Sequence, residues 1–160
     1  MIFKNLSLKL YQIKTKQQLP IPVEKAWNFF SNPKNLKEIT PKEMNFRIMS
    51  GADRSIFPGQ IIQYKVSPVL GISTKWVTEI THVKEKEYFV DEQRFGPYSL
   101  WHHKHFIKKI DGGIEMEDIV DYKIPFGFIG QIAHFLFVKN KLKQIFKYRE
   151  NKLIELFGKI

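Results

Sequence analysis

Cysteine is absent from this 160-residue sequence, and so are long hydrophobic runs. Without cysteine the chain forms no disulfide, has no thiol nucleophile and holds no zinc ion or iron–sulfur cluster through thiolates. The longest uncharged run, 124–138, is interrupted by proline, glycine, glutamine and histidine, whereas a membrane-spanning helix needs about 20 apolar residues. Residues 1–16 carry a lysine every few positions and lack the apolar centre of a secretory signal. We therefore expect a cytoplasmic protein.

Several catalytic and cofactor-binding motifs are missing as well. The sequence has no glycine-rich phosphate loop, no dinucleotide-binding fingerprint and no Ser-His-Asp order. We therefore expect no cofactor, and any chemistry has to come from other residue types.

Acidic residues are scarce relative to basic ones, 16 against 26, which gives a net charge of +10. Residues 123–160 contain eight basic and two acidic residues, so most of the excess lies there. The simplest interpretation of these basic residues is that they form the solvent-exposed face of a helix. The alternative is an interaction module whose basic helix, 139–152, meets an anionic membrane, through peripheral contact, or nucleic acid. Of these two partners, nucleic acid is the less expected.

The composition that is present indicates one globular domain, 1–160, with an aromatic-rich core: 43% of the residues are hydrophobic, including 14 Phe and 3 Trp. Alternation predicts a first strand over 8–19, a short helix that begins at Pro22, and a second short helix over 33–40. Six further strands are expected at 45–50, 60–66, 73–81, 88–95, 99–110 and 114–124, with turns at 58–59, 68–71, 96–97 and 111–112.

The last segment, 129–157, reads as one long amphipathic helix. Its apolar residues are expected on a single stripe: Phe135, Val138, Leu142, Ile145, Phe146, Leu153, Leu156 and Phe157. An antiparallel sheet with one apolar face needs a cover, and this helix is the only element large enough to supply it. The sequence therefore predicts an α+β fold in which a curved antiparallel sheet of about seven strands, with two short helices after the first strand, wraps around the long C-terminal helix.

The most informative stretch is 91–122, where the dipeptide Asp111-Gly112 predicts a two-residue type I′ hairpin. In that register opposed residues sum to 223, so that His105 faces Asp118, His103 faces Val120 and Trp101 faces Tyr122. Two histidines and an acid on the inner face of a sheet are costly to bury unless they are paired or hold something. The hairpin thus predicts a cavity with a polar floor.

The preceding strands extend this inner wall. The turn at 96–97 places Asp91 near His103 and Gln93 near Trp101, with Phe89 and Phe95 on the same side. Trp76, Thr78 and Ile80 continue the wall on the next strand. Pockets for small organic ligands are mostly apolar with a few placed polar groups, as this wall is.

Arg149 lies near the middle of the apolar stripe of the last helix, where Leu or Ile is expected. Two interpretations stay open. Its guanidinium points into the cavity, toward Asp91 or a ligand carboxylate, or it extends out past its neighbours or forms a structural ion pair.

The histidines also allow more than one interpretation. His103, His105 and Asp118 could ligate an open zinc-type site, but this spacing is easily reached by chance, and we expect no metal. His105 polarised by Asp118 could act as an acid–base pair that enolises or dehydrates a carbonyl compound. The same groups could anchor a ligand without chemistry, or form an internal polar network that is satisfied within itself.

Several short motifs give the sequence a resemblance to a known group of proteins. These motifs are Asp91-Glu92-Gln93, Gly96-Pro97-Tyr98, Trp101-x-His103-x-His105-Phe106, Gly112-Gly113, Met116-x-Asp118, Tyr122-x-x-Pro125-Phe126-Gly127 and Ile145-Phe146-x-Tyr148-Arg149. They resemble the ligand-binding SRPBCC group of the START/Bet v 1-like helix-grip superfamily, which includes polyketide cyclase/dehydrase-like proteins. The resemblance implies a sheet gripping the C-terminal helix around a hydrophobic cavity that takes lipids, sterols, polyketides or hormones.

The primary hypothesis is therefore binding of a small, largely hydrophobic ligand, lipid- or polyketide-like. The residues expected to contact it are Trp76, Asp91, Gln93, Trp101, His103, His105, Asp118, Tyr122 and Arg149. The alternative is a cyclase/dehydratase-type enzyme that uses His105 with Asp118, His103 being a further catalytic candidate, while Arg149 holds an anionic substrate.

Overall fold

The computed structural model describes residues 10–67 and 71–160. The strands are β1 (Tyr11–Leu19), β2 (Arg47–Ser50), β3 (Gln60–Val66), β4 (Thr74–Lys84), β5 (Tyr88–Phe95), β6 (Leu100–Ile110) and β7 (Gly113–Lys123). The helices are α1 (Val23–Phe30), two 3₁₀ turns (Pro33–Lys37 and Lys42–Met44), α2 (Gly127–Ala133), a π-helical turn (His134–Val138) and α3 (Lys139–Phe157). Residues 8–9 of the expected first strand and 68–70 of an expected turn lie outside the described residues.

All seven strands form one antiparallel sheet in the order β1-β7-β6-β5-β4-β3-β2. The curved sheet covers the C-terminal helix, so the predicted α+β helix-grip fold is confirmed. The alternation on which the prediction rested is clearest in β7, where every second side chain is buried along the whole strand. Because side chains alternate across a strand, this pattern fixes which residues face inward.

The β6–β7 register is the predicted one: Trp101 pairs with Tyr122, and Ile110 pairs with Gly113 across the turn. The turn itself differs from the type I′ prediction. Only Gly112, with φ +77°, has a positive φ there, whereas type I′ needs one at both central positions. The two-residue loop length alone is enough to preserve the register.

The C-terminal helix, defined here as α2, the π-helical turn and α3, starts two residues earlier than predicted and runs without a break. Its apolar stripe is interrupted, because a π-helical turn inserts an extra residue and shifts the phase of the residues before it. Phe135, within this turn, is 76% exposed, contrary to the prediction. Leu156, far beyond the turn, was also expected on the stripe but is 37% exposed at its edge. No helix in the described part of the chain is both long and apolar enough to span a bilayer.

A second difference concerns β5. The pairing with β4 passes from Val77↔Phe95 to Thr78↔Gln93, which leaves Arg94 as an extra residue. Such a β-bulge reverses the alternation beyond it. Phe95, expected on the inner wall, therefore points outward and is exposed.

The described residues form three clusters of buried hydrophobic side chains, one of which, with Ile62, Tyr64 and Ile80, lies on β3 and β4. The other two lie on either side of the polar cluster. One of these two contains Leu19, Ala26 and Met116 and is closed by Leu153 of α3. The other contains Val120 and aromatic rings near the start of α3. Asp118 lies between Met116 and Val120 on β7, so the polar cluster sits at the junction.

Leu153 should be a main determinant of stability, since its side chain is fully buried between helix and sheet. We expect Leu153→Ala to lower the free energy of unfolding by about 2–5 kcal/mol, because deletion of buried methyl groups leaves a cavity. Leu156→Ala, a matched change on the exposed edge of the same helix, should cost less than about 1 kcal/mol. Urea denaturation of both variants measures this, and equal losses would contradict the assignment of the buried face.

Candidate functional site

Four ionisable side chains meet on the inner face of β5, β6 and β7. The sheet register puts His105 opposite Asp118 and Asp91 opposite His103, as predicted. His103 and His105 are two residues apart on β6, so both imidazoles project to the same side. Their ring centroids are 3.7 Å apart. We call Asp91, His103, His105 and Asp118 the polar cluster.

The sequence predicted a His105–Asp118 pair, but in the structure Asp118 is hydrogen-bonded to His103, and His105 is hydrogen-bonded to Asp91. His103 Nε2 donates to Asp118 Oδ1 over 3.1 Å, and His105 Nε2 donates to Asp91 Oδ2 over 2.8 Å. His105 Nδ1 also lies 2.7 Å from Asp118 Oδ1, but this close contact is too oblique to count as a hydrogen bond. Each histidine is therefore bonded to one carboxylate and lies near the other.

Arg149 of α3 completes the arrangement from the helix side. Its Nη2 is 3.4 Å from Asp118 Oδ1, and its guanidinium lies over the ring of Phe30. The structure thus decides the open question: Arg149 points inward. Its Nε is buried without a hydrogen-bond partner among the described residues, so the guanidinium has donor capacity left over.

The pKa values of both carboxylates in the polar cluster are lowered, which favours their ionised forms. Burial alone would raise the pKa of Asp118, yet the charge of Arg149 and the contacts of both imidazoles hold this pKa well below its ordinary value of 3.8. The pKa of Asp91 is also lowered, because His105, His103 and Arg149 outweigh the effect of burial.

The two histidines are shifted in opposite directions. Burial, together with the charge of His105, lowers the pKa of His103 from 6.5. Burial also acts to lower the pKa of His105, but its contacts with Asp118 and Asp91 prevail and raise it above 6.5. His105 is thus the more basic of the two rings. The carboxylates of Asp91 and Asp118 face Arg149 and this more basic imidazole, so the buried charges are compensated within the site.

A cation could be ligated by part of this cluster. One ligand atom each from Asp91, His103 and His105 lies within 4.8 Å of the others. This triad includes Asp91 in place of the Asp118 considered from sequence. In this structure His105 Nε2 is hydrogen-bonded to Asp91 and His103 Nε2 to Asp118, so part of the donor set is engaged within the polar cluster.

The polar cluster borders a partly open cavity of about 200 Å³ between sheet and helix. Its wall is apolar and aromatic, with contributions from the two 3₁₀ turns, from β3 to β6 and from α3. Among the predicted site residues, those that line it are Trp76, Asp91, Trp101, His103, His105 and Arg149. Trp76 and Trp101 meet edge to face, with ring centroids 5.3 Å apart.

A second, more open groove of about 900 Å³ lies between the edge strand β1 and the C-terminal helix. Asp118, Tyr122 and Arg149 border this groove. Arg149 therefore contacts both spaces, and the predicted residues divide into two sets rather than forming one wall.

Two predicted residues have other surroundings than expected. Gln93 lines neither space, since its amide bonds both the N–H and the C=O of Tyr98 and closes the β5–β6 turn. The hydroxyl of Tyr122 lies 2.8 Å from Nε2 of His134, a buried histidine that sequence reasoning missed. His134 also stacks on Tyr11. The only signal for it was a polar residue in an otherwise apolar helix.

Solved structures with this architecture are similar to the chain in fold but not in sequence. The Zhui aromatase/cyclase from Streptomyces sp. R1128 superposes with a TM-score of 0.73 at 10% identity, covering 92% of this chain and 93% of that one. A START superfamily protein from Mycobacterium smegmatis superposes with a TM-score of 0.65 at 12% identity, covering 91% of this chain and 98% of that one. Ara h 8.0201 superposes with a TM-score of 0.60 at 18% identity, covering 92% of this chain and 99% of that one.

Neither a protein-family model nor a curated protein sequence matches the chain. At these identities the likeness concerns the fold, which is the START/Bet v 1-like helix-grip expected from sequence.

The charges of the polar cluster predict a defined pH dependence. His105 contributes its full stabilisation below pH 6.5, and this stabilisation is lost as the pH rises through the raised pKa of His105. Asp118 contributes its full stabilisation above pH 3.8, and this stabilisation is lost as the pH falls through the lowered pKa of Asp118. We expect Asp118→Asn to lower the pKa of His105 and to reduce the free energy of unfolding at neutral pH by about 3 kcal/mol, since it leaves buried cations unpaired.

Histidine NMR titration and urea denaturation at several pH values measure both effects. Glu117→Gln is the control, because Glu117 is the neighbouring acid on the outer face of β7, where it pairs with Lys14. An unchanged His105 pKa in Asp118→Asn would contradict the proposed charge arrangement.

Proposed function

We propose that this helix-grip protein binds a small, largely hydrophobic ligand with one anionic group, of the kind that includes aromatic polyketide-like acids. The observation that carries the proposal is an aromatic cavity whose polar end is a buried, charge-balanced cluster with spare donor capacity on Arg149. A core that served stability alone would be better filled by apolar side chains, since buried ion pairs seldom add net stability.

The size of the cavity limits the ligand. About 200 Å³ exceeds the roughly 150 Å³ that is enough for benzene in a dry apolar cavity. One or two fused rings therefore match this cavity. A longer molecule would have to extend past Arg149 into the groove beside β1, which Lys139 and Lys143 also line.

The polar end selects for a carboxylate. Arg149 Nε is free to donate, and a guanidinium binds a carboxylate through two parallel hydrogen bonds. The added negative charge would be compensated at His103, whose neutral ring can take up a proton. Binding should therefore raise the pKa of His103.

This proposal predicts selective binding of an aromatic acid. We expect 2-naphthoate to bind more tightly than 2-naphthylmethanol, which has the same rings without the charge. Arg149→Met should weaken naphthoate binding about tenfold or more, since hydrogen bonds to charged groups contribute about 1.5–3 kcal/mol, while the alcohol should be little affected. Calorimetry or ring fluorescence gives both dissociation constants.

Arg94→Met is the matched control, because Arg94 is paired with Glu79 on the outside of the sheet. Arg149→Lys keeps the charge and should bind at an intermediate level, which separates loss of the contact from loss of the fold. Equal weakening of acid and alcohol in Arg149→Met would contradict a carboxylate site.

A second candidate function is catalysis, and one observation favours it. His103 and His105 both line the cavity, lie in ring contact and have pKa values displaced in opposite directions. Such a pair supplies a neutral base and a protonated acid side by side. In a β-hydroxy carbonyl compound, His103 would remove the α-proton, the electron pair would form the double bond, and His105 would protonate the departing hydroxyl, which leaves as water. The name of the aromatase/cyclase with the same fold supports this class.

Enolisation of 2-tetralone, a bicyclic ketone of suitable size, tests this function. If the pair is catalytic, α-deuterium exchange followed by NMR should exceed the buffer rate and should fall about 100-fold or more in His103→Gln and in His105→Gln. His82→Gln, a change of an exposed histidine, should leave the rate unchanged. Exchange that persists in both cluster variants would exclude the pair as the catalyst.

A further inference from the structure

The start of the C-terminal helix exposes an unusual amount of apolar surface. Phe126 is 82% exposed and Phe128 is 67% exposed. Further exposed apolar side chains in this segment are Ile129, Ile132, Phe135, Leu136 and Phe137. The segment is apolar on nearly every side, and only Gly130, His134 and Val138 are buried against the protein. A helix that is apolar all round is normally covered, so this one calls for a partner.

The strand order brings more apolar groups to the same end. β7 ends here, so β1 and β6 begin here. The β5–β6 turn lies here too, and at this end β3 ends and β4 begins. The exposed apolar side chains at these points are Leu10, Ile72, Phe95 and Leu100. We define the apolar end as these four residues together with the exposed side chains of 126–137.

A row of like charges borders the apolar end. In the sheet register Arg47 of β2 lies opposite Lys65 of β3, and Lys65 lies opposite Lys75 of β4. All three side chains are exposed, and in the described part of the chain none forms an ion pair. Like charges placed directly opposite each other cost stability, so this row indicates an anionic partner.

Three more cations on the other side of the apolar end resemble this row. Lys123 ends β7, and Lys139 and Lys143 start α3; none has an acidic partner among residues 10–67 and 71–160. On the neighbouring strand β1, by contrast, Lys14 and Lys16 are both paired with glutamates. On both sides of the apolar end, these cations thus have no acidic partner in the part of the chain that the structure describes.

We propose that the apolar end docks on an anionic lipid bilayer. Phe126, Phe128 and their neighbours enter the boundary between headgroups and acyl chains, and the surrounding Lys and Arg contact anionic headgroups. The positive φ of Phe126, 68°, is uncommon for a residue with a side chain, and it turns this ring outward at the start of the helix.

Two other partners fit the surface less well. A two-fold contact with a second copy would bring Lys139 and Lys143 of both chains close to each other, which opposes association. Nucleic acid would satisfy the cations, but it would leave the large apolar side chains of the segment 126–137 without an apolar partner. A bilayer interface satisfies both features at once.

The docking surface adjoins the cavity. Tyr98, which lines the cavity, lies in the β5–β6 turn between the exposed side chains of Phe95 and Leu100. A docked molecule would therefore hold one wall of its cavity next to the bilayer. The proposal does not depend on what the cavity binds, because docking needs no cavity ligand.

Vesicle flotation tests the docking. We expect the protein to bind vesicles in which phosphatidylglycerol replaces part of the phosphatidylcholine, to bind pure phosphatidylcholine weakly, and to be released by salt. Phe128→Asp combined with Phe135→Asp should reduce the partition coefficient about tenfold or more, since the loss of one buried aromatic side chain already corresponds to that factor. Both side chains are exposed, so the fold should tolerate the changes.

Matched variants at the far end of the molecule serve as controls. Ile61→Asp with Leu156→Asp changes two partly exposed apolar residues there, and should retain binding. Lys139→Gln with Lys143→Gln should weaken binding, whereas Lys108→Gln with Lys109→Gln, at the β6–β7 hairpin, should not.

Three results would overturn the proposal. The first is absence of vesicle binding at low salt. The second is full binding by Phe128→Asp with Phe135→Asp, which would mean attraction of any polyanion by charge alone. The third is a dimer in native mass spectrometry that these two changes dissociate while vesicle binding is absent, which would assign the apolar end to a second copy of the chain.

Discussion

The contact between the Asp118 carboxylate and the Arg149 guanidinium is the interaction on which the rest of the site depends. Asp118 is 2% exposed, so its charge has to be compensated within the fold. Arg149 reaches it from the helix, and the two histidines reach it from the neighbouring strand. One buried carboxylate therefore ties the sheet to the helix and helps to raise the pKa of His105.

This arrangement also explains why the interior is not filled. Leu153 and its neighbours pack tightly on one side of the polar cluster, and aromatic rings pack on the other. Between them, a guanidinium and four ionisable groups cannot interdigitate as aliphatic side chains do, and a cavity persists along their apolar border. The cavity, the charge balance and the remaining donor capacity of Arg149 thus have a common origin.

Much of the fold could be predicted because it depends on local periodicity. The alternation in β7 and the two-residue loop at Asp111-Gly112 were enough for the register that brings His105 to Asp118. The predictions for Phe95 and Phe135 were wrong for a shared reason. A bulge at Arg94 and a π-helical turn at 134–138 each add one residue, and an added residue reverses or rotates every side chain beyond it. Single insertions of this kind leave no periodic signal.

The sequence by itself determined the order of the elements, the inner face of β6 and β7, and the presence of two histidines and two acids on that side, because strand alternation is a property of the local chain. Only the tertiary structure decided that Arg149 points inward, that His103 rather than His105 donates its hydrogen bond to Asp118, and that Gln93 closes a turn. It also brought His134 to Tyr122. These choices depend on distances between the helix and the sheet, or between side chains whose rotamers adjust to one another, and neither is encoded in the spacing of residues along one strand.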